Sequence, residues 1–300
     1  MNPSVELLEA MPPAQTALVW IDAGGTRHEY TVAEAIGASA GVAGRLQELG
    51  VERGDVVLTL LGSRPEWVWT MLACWRIGAV ALPCHEMLTA KDVALRIEAA
   101  EPKVIVVHGD DAGSLPANAE GRAVLTVPDA KLIAAEPAGV VDLDPEDPAV
   151  IIFTSGTSAQ PKGVVHAQRW IAGQRLQATE WFAARAGTLA WCTAAPGWSK
   201  SARNAFLAPW MCGTTAMLHE GRFDPHERLE LLSREGVATL CQAPTEYRLM
   251  AARGALGELP ALENMVAAGE ALDATVIEAF REATGVRIRD GYGQTETNHV

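Results

Sequence analysis

Short apolar runs alternate with longer amphipathic stretches along the whole chain, and the boundaries between them carry start and stop chemistry. Thr31 with Glu34 three residues on forms a capping-box pattern, which predicts a helix to about Leu49, closed by Gly50. Residues 55–61, DVVLTLL, predict a strand. Ser63 as N-cap and Pro65 in the first turn then predict a helix carrying Trp67, Trp69 and Trp75, whose helical setting assigns them to packing. AVALP, KVIVVHG, AVLTV and AVIIFT follow as strands, with Thr89 and Asp92 opening a helix after the first. Further on, the alternation predicts helices over 170–184 and around 201–211, then from Asp224, from Pro244 and from about Ala274. The strands TLAWC, TTAML, VATLC, NMVAAG and VRIRD are interleaved with them.

Strands that are apolar on both faces and separated by helices are the mark of parallel sheets covered by helices, so the fold class is α/β. Residues 109–148 are richer in Asp, Gly, Pro and Ala and predict a looser surface excursion. No low-complexity linker separates independent domains; the expected unit has two sheets packed through shared helices, with a soft boundary near 150–190.

Composition narrows the class. A chain of 300 residues buries about three quarters of its unfolded surface, which is core enough without disulfides or metals. Apolar residues at 49% and charged residues at 20%, finely mixed, exclude disordered and fibrous classes. A net charge of −13 with no run of Lys and Arg excludes duplex-scale nucleic-acid binding, whose affinity comes from neutralising many phosphates. Cys74, Cys84, Cys192, Cys212 and Cys241 are widely spaced, without a CxxC pair or zinc spacing, and read as reduced thiols of a cytosolic protein. MNPSVELLEAMPP has no basic region followed by an apolar run, and no apolar stretch reaches membrane-spanning length. The expectation is a cytoplasmic protein without membrane insertion; the oligomeric state stays open.

Two loops at strand ends have unusual composition. TSGTSAQPKG, residues 154–163, holds the hydroxyls of Thr154, Ser155, Thr157 and Ser158, the glycines Gly156 and Gly163, and Lys162. Such a loop wraps a triphosphate with hydroxyls and amides while Lys162 adds a charge-assisted contact. A P-loop requires glycine before the lysine and a hydroxyl after it, where this chain has Pro161 and Gly163, so any metal must be held from elsewhere. DGYGQTET, residues 290–297, offers that ligand in Glu296, a hard oxygen donor beside Thr295 and Gln294. Tyr292, flanked by Gly291 and Gly293, is a ring on a backbone free enough to lie flat on a base. The alternatives are a mobile surface turn for the first loop and a glycine turn with a packed tyrosine for the second.

Together, TSGTSAQPKG and YGQTET resemble the adenylate-forming superfamily, and within it the AMP-forming acyl-CoA synthetases. Gly197–Trp198, APWMCGTTAMLHEGRFDP, APTEYRLM, AAGEAL and RPEWVWTMLACWRIGAVALP extend the resemblance, closest to the medium-chain branch, over roughly residues 16–300. It implies the N-terminal AMP-binding domain of an adenylate-forming enzyme, two mainly parallel sheets in a layered αβαβα arrangement. One lobe would cover about 50–190, the other about 1–49 and 190–300. It also implies ATP- and Mg2+-dependent adenylation of a medium-chain fatty or aromatic acid, followed by acyl transfer to coenzyme A.

Carried onto this sequence, Thr154, Ser155, Gly156, Thr157, Ser158 and Lys162 would hold the β- and γ-phosphates. Glu296 would hold Mg2+, and Thr295 would contact the α-phosphate and the acyl carboxylate, making Lys162, Thr295 and Glu296 the catalytic set. Gly269, Glu270 and Ala271 would line the adenine pocket, with Tyr292 on the base, Asp290 at the edge, and Gly291, Gly293 and Gln294 in the same wall. Trp198 matches an aromatic beside the acyl tunnel, with a buried core tryptophan as the other reading. Two departures stand out: Ala159 occupies a position that is usually glycine, and the sequence stops before the family's ribose-binding aspartate, hinge and lid domain with its lysine. The expectation is a fragment with weak or no full activity, the alternative a non-catalytic ATP- or acyl-binding module. A P-loop phosphotransferase is a third reading.

Overall fold

The computed structural model describes residues 2–154 and 161–299. In chain order the strands are β1 (Thr16–Ile21), β2 (Arg27–Thr31), β3 (Val56–Leu60), β4 (Val80–Cys84), β5 (Val104–His108), β6 (Ala123–Val127), β7 (Pro148–Thr154) and β8 (Lys162–Ala167). Then come β9 (Leu189–Cys192), β10 (Thr215–His219), β11 (Val237–Gln242), β12 (Asn264–Ala268), β13 (Ile288–Gly291) and the short pair β14 (Gly293–Gln294) and β15 (Asn298–His299). The chain divides into two compact units, one of residues 1–15, 30–173 and 195–198, the other of residues 16–29, 174–194 and 199–300.

The first unit carries a six-stranded sheet in the order β6-β5-β3-β4-β7-β8. Its pairs are parallel except β7 with β8, which run antiparallel with Thr154 opposite Lys162. Leu58, Leu60, Leu82, Val93, Ile97, Ile105 and Val107 form a buried cluster on it. The helix Val32–Glu48 opens with the expected capping box, Thr31 with Glu34, and packs on the helix Pro65–Ile77. Trp67, Trp69 and Trp75 are 0%, 3% and 0% exposed, as their helical spacing implied, and Trp75 Nε1 donates to Ala149 O at 2.9 Å.

The second unit carries a seven-stranded sheet in the order β13-β12-β11-β9-β10-β1-β2. Its ladders from β1 through β10, β9, β11 and β12 to β13 are all parallel. The chain leaves β9 to one side to form β10 and returns to its other side as β11. The junction of β9 with β11 is therefore where the winding reverses, and a crevice opens beyond the strand ends at such a point. Trp191, Met217, Leu240, Tyr247, Met250, Met265 and Phe280 fill the core beneath. The helix Pro225–Glu235 begins as its Asp-Pro predicted, with Asp224 accepting from the amides of His226 and Glu227. Two mainly parallel sheets with helices thus confirm the expected α/β class.

Three details differ from the sequence expectation. The helix carrying Trp67 is flanked by Arg64 rather than Ser63, with no side-chain cap, because the residue before a proline is driven to extended backbone (φ −134°, ψ 159°). The helix expected over 170–184 is interrupted, with pieces at Arg169–Gly173 and Arg175–Gln177 and a wide turn at Ala178–Phe182. Two strand pairs escaped the pattern. β8 returns at once beside β7, and β1–β2 turn on Asp22, whose Oδ1 accepts from Gly24 and Thr26 at 2.9 and 2.8 Å.

In the helix Val32–Glu48, a Cβ on Gly44 would lie 1.9 Å from Glu136 O, and one on Gly41 2.2 Å from Ile133 O. The segment after residue 130 thus lies directly on a glycine stripe. Gly44→Ala is expected to lower stability by about 1–3 kcal/mol, read as a shifted denaturant midpoint, because the obstructing atom is backbone.

Candidate nucleotide site

The sequence-predicted residues fall at the carboxyl ends of strands in both units. In the first, Thr154 ends β7 and Lys162 starts β8 opposite it, with the Lys162 side chain exposed. Ser155, Gly156, Thr157, Ser158 and Ala159 lie outside the described residues. The structure supplies a reason for Gly163 beyond its missing hydroxyl: a Cβ there would sit 3.1 Å from Ile151 Cγ2 and 3.3 Å from the Phe153 ring. Lys162 therefore starts a strand antiparallel to β7 rather than a helix, which separates this segment from a P-loop by topology as well as by sequence.

Trp198 is 69% exposed, so it is not a core tryptophan. It follows Gly197, whose φ of +91° requires glycine and where an added Cβ would lie 3.2 Å from Pro83 O and 3.1 Å from His85 N. This close approach holds the turn against the end of β4. Burial lowers the His85 pKa, and its Nδ1 accepts from Met87 N at 3.0 Å.

In the second unit the register pairs Ala268 of β12 with Gly291 of β13. The turn Gly269–Glu270–Ala271 and the segment Asp290–Gly291–Tyr292 consequently leave the sheet side by side. Asp290 ties them, its Oδ2 accepting from Leu272 N at 3.1 Å. Gly269 has φ +118°, a conformation other residues rarely adopt. Gly291 and Gly293, by contrast, sit in strand backbone at the end of β13 and the start of β14. Tyr292 between them is 66% exposed. Thr295, Glu296 and Thr297 form the turn of the β14–β15 hairpin, with Gln294 and Glu296 exposed.

Several positioning residues were not among the site residues expected from the sequence. Arg248 donates to Glu270 at 3.0 Å and to Asp273 at 2.8 Å and also reaches Ala271 O, while Thr245 bonds Glu270 through its amide at 3.1 Å. Thr245 and Arg248 hold the Glu270 carboxyl below its usual range, so the turn presents its backbone outward while that carboxylate is occupied. Lys200 Nζ donates to Ala268 O at 2.7 Å, fastening the last residue of β12. The signals available were APTEYRLM, which contains Thr245 and Arg248, and the lysine after Gly-Trp-Ser.

Among the described residues no group of three or more His, Cys, Asp or Glu is placed to hold a metal. Glu296 is a lone exposed carboxylate, which fits a cation such as Mg2+ that takes one or two carboxylates and completes its shell with phosphate and water. All five cysteines are free thiols, four of them buried. No helix of the described residues is long and apolar enough to cross a membrane.

The chain belongs to the AMP-binding enzyme family, which it matches over residues 8–300. A curated relative, an uncharacterized acyl-CoA ligase of Bacillus subtilis (strain 168), is 36% identical over 297 residues, covering 94% of this chain and 56% of its own length. The crystal structure of the Brucella canis acyl-CoA synthetase superposes with a TM-score of 0.93 at 29% identity, covering all of this chain and 58% of that one. The anthranilate CoA ligase AuaEII, solved in complex with anthranoyl-AMP, gives a TM-score of 0.86 at 25% identity, covering 98% of this chain and 59% of its own. The chain thus spans about half the length of the relatives it matches.

Replacing Arg248 with Ala is expected to raise the Glu270 pKa toward the ordinary carboxylate value, measured by an NMR pH titration. The sign follows from the lowered folded pKa. The bonds of Glu270 contribute stability above its unfolded pKa and lose it as pH falls through the folded value, and the variant keeps only the part of this acid-limb dependence that Thr245 supplies.

Proposed function

We propose that the protein is the nucleotide-binding portion of an AMP-forming acid–thiol ligase, which adenylates a carboxylic acid with ATP and passes the acyl group to coenzyme A. One observation carries the reading. The register Ala268–Gly291 and the Asp290–Leu272 bond bring two motifs, distant in sequence, to one strand edge. There they leave an outward backbone turn beside an exposed tyrosine ring. Family membership over residues 8–300 supports the same chemistry.

In this reading the backbone of Gly269, Glu270 and Ala271 takes the adenine edge, Tyr292 stacks on the base and Asp290 keeps the two segments in register. Thr154, Gly156 and Lys162, with the hydroxyls of Ser155, Thr157 and Ser158, hold the β- and γ-phosphates. Thr295 contacts the α-phosphate and the acid's carboxylate. Glu296 holds Mg2+, which when bound neutralises charge on the phosphates. A carboxylate is a poor electrophile; its oxygen attacks the α-phosphorus, the bond to the β-phosphate oxygen breaks and pyrophosphate leaves. The thiolate of coenzyme A then attacks the acyl carbon of the mixed anhydride and AMP departs. Trp198 flanks the acyl chain, and the acids expected are medium-chain or aromatic, as anthranilate is for the AuaEII ligase.

Lys162→Ala is expected to weaken ATP·Mg2+ binding by about 10- to 100-fold, the loss of one charge-assisted contact, read by calorimetry. Acid-dependent release of pyrophosphate together with AMP tests the reaction. ADP as product would instead assign a phosphotransferase, and nucleotide binding with no turnover of any acid would assign a non-catalytic module.

A further inference from the structure

The helix that follows β9 carries polar side chains that the fold leaves unanswered. Ser199 Oγ, Ser201 Oγ, Arg203 Nη1 and Asn204 Oδ1 are buried and have no hydrogen-bond partner among the described residues. Groups of this kind cost stability unless something answers them, and four within residues 199–204 are a concentration that needs a cause. Arg203 matters most because it is charged. It is 6% exposed, and its Nε donates to Ser199 O at 2.8 Å.

Among the described residues no carboxylate answers its Nη1. Glu246, at the start of the helix Pro244–Arg253, is taken up by Thr193, by Ala243 N at 3.1 Å and by Arg228 at 3.3 Å. The charged or titratable groups that Arg203 faces are the thiols of Cys192 and Cys241, register partners on β9 and β11. Burial lowers the Arg203 pKa to about 10, which still leaves it cationic at neutral pH. Lys200, one turn earlier, adds a second cation, with its ammonium on Ala268 O. A buried cation without a counter-ion is strongly unfavourable, so a binding anion would recover much of that cost.

The place is as telling as the charge. Cys192 ends β9 and Cys241 is the penultimate residue of β11, so Arg203 sits where the winding of the sheet reverses, at the carboxyl ends of its strands. Lys200 links the same helix to the residue before the Gly269–Ala271 turn. Ser199 and Arg203 are four residues apart and share one helix face.

Resting on the acid-ligase reading above, we infer that Arg203, with the Ser199 hydroxyl, is a subsite for a second anionic group on the acid, so that the substrates are dicarboxylic. The guanidinium gives two N–H donors in the plane of a carboxylate, a geometry a lysine or an apolar side chain does not reproduce. The reacting carboxyl is then the one left free at the other end of the same molecule.

The test compares linear monocarboxylic acids with α,ω-dicarboxylic acids of equal length on the purified protein in its full-length form. Acid-dependent pyrophosphate release is the first readout, and calorimetric binding of glutarate and adipate without ATP the second. The dicarboxylic acids are expected to have the higher kcat/KM. In Arg203→Met this preference is expected to fall by about 10- to 100-fold through KM, with monocarboxylic acids unaffected or improved, and Arg203→Lys is expected to retain part of it. Thermal melting of both variants separates a lost subsite from a lost fold; if the methionine variant does not fold, the lysine variant and Ser199→Ala carry the comparison. Turnover of monocarboxylic acids with no dicarboxylic preference, or a preference indifferent to Arg203, overturns the inference while leaving the ligase reading intact. A thiolate on Cys192 acting as the counter-ion also overturns it, and would appear as a Cys192 titration that shifts upward in Arg203→Met. Failure of every acid to release pyrophosphate, with nucleotide still bound, removes the ligase reading itself.

Discussion

The parallel ladder of the second unit sets where each of its functional segments begins. Backbone N–H and C=O groups of buried strands must pair with a neighbour, so sliding one strand by a residue would send its apolar set to the wrong face. That constraint puts Cys192 beside Cys241 and Ala268 beside Gly291. Since all these strands run the same way, their exits gather along one edge. The turn Gly269–Ala271, the Asp290–Tyr292 segment and the helix bearing Lys200 and Arg203 thus meet there without any long-range instruction beyond the ladder.

Polar side chains then sharpen what the ladder places roughly. Arg248 grips both Glu270 and Asp273, Asp290 receives the Leu272 amide, and Lys200 caps the free carbonyl of Ala268. Each of these groups fixes a backbone segment at the strand ends. Gly197 works similarly in the first unit, where its contact with the backbone of residues 83–85 leaves Trp198 exposed at a strand end.

Elements whose signal is local were legible in the sequence. The capping boxes at Thr31 and Thr89, the Asp224 cap and most strands are set by neighbours within a few residues, and both motif loops fell at strand ends as read. The pairs β1–β2 and β7–β8 were missed because a helix-strand alternation was extended over segments where the chain turns straight back. Gly163 looked like a missing hydroxyl and proved to be room for the Ile151 and Phe153 side chains across the hairpin.

The sequence by itself determined the α/β class, through periodicity and turn chemistry carried along the chain, and its motifs resembled the family to which the chain belongs. Only the tertiary structure decided that Lys162 starts a strand, that Trp198 lies exposed, that Glu270 is occupied by Arg248 and that the buried Arg203 Nη1 has no partner among the described residues. Those facts depend on contacts between residues far apart in sequence, as Lys200 is from Ala268, and a side chain's hydrogen-bond partners become definite only once the strands are in register.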